Sequence, residues 1–71
     1  MAVSNQQIEK LLTGRYTFAN LSFSMLLVRM KMLYVKDPTQ PTLQKCSKEI
    51  GEFLEKFKTN MGVDYAIIEA L

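Results

Sequence analysis

Apolar positions recur with a helical period along most of this chain. Near its start, Ile8, Leu11 and Leu12 fall at i, i+3 and i+4, the spacing of one helical face. Ser4 stands three residues before Gln7, the S-x-x-Q arrangement in which two residues cap each other reciprocally. Val3 and Ile8 are placed to form a hydrophobic staple across it. With Gly14 at the position that commonly follows a helix end, these signals predict a short helix over residues 5–13. Arg15 to Thr17 read as a turn, and Thr17 as the cap of a second helix over 18–36. A strand over Tyr16–Met25 is the competing reading, because Phe18, Leu21, Phe23 and Met25 partly alternate. Adjacent apolar pairs and a missed phase at 19–20 spoil that alternation.

Pro38 stops the second helix, since the residue before a proline is pushed out of the helical region. Lys36 to Pro41 form the main loop, and a third helix is expected over 42–61, with proline tolerated in its first turn. Leu43, Cys46, Ile50, Phe53, Leu54, Phe57 and Met61 recur there every three or four residues, while Lys and Glu fill the opposite face. Gly62 reads as the residue ending this helix, and 63–71 stay open between a helical turn capped by Asp64 and a strand. The expected fold is all-α: a small helical bundle built on an antiparallel helical hairpin, with a short N-terminal helix and a short C-terminal element. Residues 1–71 are expected to form a single helical domain. Leu21, Met25, Val28 and Met32 are expected to face Cys46, Ile50, Phe53 and Phe57 across the hairpin.

The second helix is apolar on two opposite sides. Written as heptads with Phe18 at a, its a and d positions are Phe18, Leu21, Met25, Val28, Met32 and Val35, a complete apolar seam. The b, c and f positions, ordinarily polar, hold among others Phe23, Leu26, Leu27, Met30 and Leu33. Two narrow polar strips, Ser22, Arg29 and Lys36 at e with Ser24 and Lys31 at g, separate the faces. A third helix with one apolar stripe covers one side only. Leaving the other five residues in water forfeits about 1.5–3 kcal/mol each, more in sum than the ~3–5 kcal/mol a core this small usually nets. Either the first helix and the tail fold over that face, or another chain covers it. Because nine residues of helix reach only about 13 Å along it, Phe23, Leu26, Leu27, Met30 and Leu33 are the expected partner-binding residues. The partner is expected to be a second copy, giving a homodimer, or a helix of another protein.

Composition narrows the function classes. The 71 residues, 48% of them apolar, suffice for one small domain and are too few for barrels or doubly wound sheets. There is no histidine, which removes the commonest general base and the commonest zinc ligand together. The lone Cys46 falls in register with Leu43 and Ile50 and reads as a small core hydrophobe, and its solitude favours a reducing, cytoplasmic setting. No Gly-rich phosphate loop, C-x-x-C or nucleophile–base set is present, so no catalytic, cofactor-binding or metal-binding residue is expected. Residues 1–13 lack an early basic cluster, and the uncharged run Tyr16–Val28 is too short to span a bilayer, so neither a signal peptide nor a membrane helix is expected. Basic residues are spread over every segment and the net charge is only +2, which gives no nucleic-acid footprint. The expected role is a non-enzymatic protein–protein interaction module, an adaptor, regulator or chaperone-like protein. The alternative is peripheral membrane-surface binding through the second helix, with Arg15, Arg29, Lys31 and Lys36 beside its apolar positions.

The stretch Cys46-Ser47-Lys48-Glu49-Ile50-Gly51-Glu52-Phe53-Leu54-Glu55-Lys56-Phe57 is similar to the second helix of the short helical-hairpin aspartyl-phosphate phosphatases of sporulation control. That family carries a Ser-Gln-x-Leu-Asp-x-Leu-Ile pattern, and its key Asp corresponds here to Gly51. The resemblance covers about a dozen residues. It implies a hairpin regulator without phosphatase activity.

Overall fold

The computed structural model describes residues 3–58 and 62–71 and contains helices α1 (Asn5–Thr13), α2 (Leu21–Lys36), α3 (Gln40–Phe57) and α4 (Gly62–Ala70). Among the described residues there is no strand, so the alternation over Tyr16–Met25 does not produce one. α1 has the predicted bounds and the predicted capping box. The Ser4 hydroxyl accepts from the Gln7 N–H at 3.2 Å, and the Gln7 side-chain oxygen accepts from the Ser4 N–H at 3.0 Å. Gly14 closes the helix in an extended conformation rather than a left-handed one. Its glycine is required by close approach: a Cβ there would sit 2.8 Å from the Lys10 carbonyl and 2.2 Å from the Tyr16 ring.

α2 starts three residues later than its apolar pattern suggests. Asn20, not Thr17, is the N-cap, its side chain accepting from the Phe23 N–H at 2.9 Å. The preceding turn is held open by a residue far along the chain. Asp64, buried in the first turn of α4, accepts from the Ala19 N–H at 3.3 Å and the Asn20 N–H at 3.0 Å. Two donors that would otherwise lie unsatisfied at a helix start are thereby met. α3 begins at Gln40 with Pro41 in its first turn, and Thr42 and Asp37 bridge the loop at 3.3 Å. It ends at Phe57, Met61 lies outside the described residues, and Gly62 opens α4 instead of ending α3. The tail is therefore helical. It is tied to α1 by Gln7, which donates to the Ile68 carbonyl at 3.2 Å, and by Lys10, which donates to the Leu71 carbonyl at 2.6 Å.

α1, α2 and α3 pack against one another in pairs. The buried core joins Ile8, Leu11 and Leu12 of α1 to Phe23, Leu26, Leu27 and Met30 of α2 and Leu43, Cys46, Ile50 and Leu54 of α3, with Phe18 and Ile68 at one end. Phe18 and Phe23 meet edge to face with ring centres 4.7 Å apart, a favoured aromatic geometry. The radius of gyration of 11.0 Å matches the roughly 11 Å expected of a compact chain of this length.

The hairpin forms, but α2 is turned the other way. Leu21, Met25, Val28 and Met32, expected to face α3, are 57–74% exposed. The facing surface comes instead from the opposite side of α2, as the Cys46 S–H directed at the Met30 carbonyl (3.9 Å) shows. The physical reason is breadth. At 3.6 residues per turn the buried positions Phe23, Leu26, Leu27 and Met30 with half-buried Leu33 and Tyr34 span an arc of about 120°, against about 80° for Leu21 to Val35. Two helices, α1 and α3, must both lean on α2, and only the wider arc accommodates both.

Candidate docking face on the second helix

The outward side of α2 is an unbroken row of apolar a and d positions. Leu21, Met25, Val28, Met32 and Val35 are exposed by 74, 66, 57, 69 and 76% respectively. Their spacing of four, three, four and three residues is that of a coiled-coil seam, and it runs about 21 Å along the helix. Large side chains this exposed are individually unremarkable on a protein surface, but a contiguous row is not. Beside the row lies an open groove of about 800 Å³, lined by Leu21, Met25, Leu26, Val28 and Met32 and walled on the α3 side by Phe53. Phe53 is half-buried, its ring tilted against that of Phe57 with centres 4.7 Å apart and 6.0 Å from that of Phe23.

Charge around the row is of one sign on α2 itself, which carries no acidic residue. Arg29 and Lys36 flank it as exposed cations. Lys31, on the other flank, is half-buried and donates to the Gly14 carbonyl at 2.5 Å, so it folds back on its own chain. Across the groove, Glu49, Glu52 and Lys56 of α3 line a smaller hollow together with Arg29 and Phe53. That edge therefore presents both signs.

The five residues expected from sequence to bind a partner occupy the interior. Phe23, Leu27 and Met30 are at most 3% exposed, Leu26 is at 9% on the groove edge, and Leu33 is half-buried against the core. α1 and α3 cover the face that was expected to need another chain. The surplus of apolar surface is real but lies on the opposite side of the same helix. The heptad pattern marks the seam residues but does not distinguish a hairpin core from an exposed row. The broader arc of Phe23 to Tyr34 was the signal that assigns the faces.

Cys46 has no room for chemistry. It is fully buried, and burial pushes its thiol up from the ordinary value of 9.0, with the Glu49 carboxylate adding to the rise and Lys45 opposing it. The thiolate needed for nucleophilic or metal-binding work is thus disfavoured. Among the described residues, no three Cys, Asp or Glu side chains converge as metal ligands, and no helix is long and apolar enough to cross a membrane. Gly51, which stands where the hairpin phosphatases carry Asp, is half-buried on α3 with nothing within 4 Å of where its Cβ would lie. No family model matches this chain, and no curated protein or solved structure matches it either.

Proposed function

We propose that this chain is a helix-docking protein–protein interaction module, an adaptor or regulator without chemistry of its own, that receives a helix on the exposed seam of α2. The observation that carries the reading is the run of a and d positions from Leu21 to Val35, each more than half exposed. Covering them contributes about 1–2 kcal/mol apiece at ~25 cal/mol per Å². A strict a/d row is narrower than the apolar face of a helix lying on a globular core, and it matches the width of one docked helix. A single, buried, unpaired thiol supports a reducing, cytoplasmic setting as part of the same reading.

The test is Met25→Glu combined with Met32→Glu. Both positions face water, so the helical far-UV circular dichroism signal and melting temperature are expected to hold. Concentration-dependent assembly of the chain, and its binding of an amphipathic helical peptide, are expected to be lost. If the unmodified chain shows neither activity, the reading fails. A second reading, docking on an anionic bilayer, draws on Arg29 and Lys36 beside the row. Cosedimentation with anionic vesicles that disappears in the same double variant, without any helix binding, is the result that favours it.

A further inference from the structure

Resting on that reading, we infer that the helix received is α2 of a second copy, laid antiparallel, so that the chain forms a twofold homodimer. The seam can pair antiparallel with itself in two registers a heptad apart. The one centred on Met30 leaves out Leu21 and opposes Arg29 to its own copy, so the one centred between Leu26 and Leu27, which leaves out Val35, is preferred. Antiparallel pairing about a point between Leu26 and Leu27 places Leu21 opposite the partner's Met32 and Met25 opposite the partner's Val28. Every a residue then meets a d residue, the layer pattern of an antiparallel pair, and twofold symmetry repeats each contact.

The flanking residues choose this direction. Small serines occupy the first half of the polar strips, Ser22 and Ser24, and cations occupy the second half, Arg29 and Lys31. Antiparallel pairing in this register sets the short Ser22 beside the partner's long, exposed Arg29 with no like charges opposed, while on the other flank Ser24 and Lys31 are held by their own chain. A parallel pair would align the two helix dipoles and bring Lys36 beside the partner's Lys31, whose ammonium is already bonded to its own Gly14 carbonyl. Glu49, Glu52 and Lys56 on the α3 side of the groove carry both signs, and the whole chain is only +2. Two copies therefore approach with little long-range repulsion.

Disulfide trapping tests the register, in a Cys46→Ala background shown by circular dichroism to remain helical. A mixture of Leu21→Cys and Met32→Cys chains is expected to give the mixed disulfide, because those positions face each other. Leu21→Cys alone is expected to stay unlinked, since two copies of it lie about 16 Å apart along the antiparallel pair. Efficient Leu21→Cys self-linkage would overturn the antiparallel register and leave helix docking intact.

A measurement on the unmodified chain guards against a poorly folding background. Between about 10 µM and 1 mM, the methyl resonances of Met25 and Met32 are expected to shift with concentration while that of Met30 does not. If all three stay fixed and the mass stays monomeric, the homodimer is wrong. A designed helix with leucine at a and d and glutamate flanks then separates the two claims. Shifts of Met25 and Met32 on adding it preserve helix docking with another protein, and no shifts overturn both. Shifts produced only by anionic vesicles likewise overturn both.

Discussion

Met30 and Met32 stand two residues apart in one helix and lie on opposite sides of it, 3% and 69% exposed. Truncating each to alanine therefore separates the two faces of α2 with side-chain chemistry held constant. At Met30 the loss combines transfer of the buried thioether chain with the cavity left behind, which for buried Met→Ala comes to about 2–5 kcal/mol. Alanine's slightly better helix propensity returns a few tenths of that, so about 2–4 kcal/mol is expected. The Cys46 contact does not add to the loss, because it uses the Met30 backbone carbonyl, which remains. At Met32 the same substitution removes atoms already in water, and the change should stay within about 0.5 kcal/mol.

A chain of 71 residues has a total stability of about 4–10 kcal/mol at the usual per-residue values. Met30→Ala should therefore remove a large fraction of it and lower the melting temperature by roughly 10–30 °C. Urea and thermal melts followed by far-UV circular dichroism at low micromolar protein provide the comparison. Self-association through the seam adds a second signature. The cost of Met32→Ala should emerge only when the melts are repeated at high concentration, whereas that of Met30→Ala should be present throughout. Equal losses at low concentration, or a larger one for Met32→Ala, would refute the assignment of the two faces.

Gly51→Ala should stabilise the chain by about 0.5–1 kcal/mol in the same melts, because Gly51 lies in the interior of α3 and its Cβ would meet nothing. Asp64→Ala removes the acceptor shared by the Ala19 and Asn20 N–H groups and should cost about 1–3 kcal/mol, with faster amide exchange at residues 19 and 20 as its local mark. Cys46 should resist alkylation by iodoacetamide near pH 8 until denaturant is added. Its raised pKa also sets a pH trend: the unfolded thiol ionises first, so stability holds below the ordinary value of 9.0 and falls as pH rises past it. Urea midpoints at pH 8 and pH 10, compared with those of Cys46→Ala, isolate that trend from other ionisations.

Where several local signals agree, the fold was legible residue by residue. Ser4, Gln7, Val3, Ile8 and Gly14 all mark the same short helix, and α1 has the bounds they imply. The misread start of α2 and the misread role of Gly62 share one cause, a partner distant in sequence. Thr17 has the chemistry of an N-cap, but Asp64 holds the Ala19 and Asn20 N–H groups, and the helix begins after them. Gly62 has the chemistry of a helix terminator, yet it opens α4, whose place is fixed by that same Asp64 and by the bonds from Gln7 and Lys10. Capping rules read a few neighbouring residues and are blind to a carboxylate arriving from another helix.

The orientation of α2 exposes a different limit. Heptad spacing identifies a seam but does not say what fills it, and an apolar pattern on both sides leaves the helix free to turn either way. The deciding quantity is how many neighbours the chain itself can supply. Discounting α1 as cover because its nine residues reach only about 13 Å leads to matching the single stripe of α3 with the narrow a/d row and handing the broad face to a partner. Including α1 reverses the assignment, because Ile8, Leu11 and Leu12 need a surface and the broad arc holds two helices side by side. The narrow row is then what remains, one helix wide and edged by serine and cations. An intramolecular core thus consumes the face with the greater capacity. The face left exposed is the narrow a/d row from Leu21 to Val35.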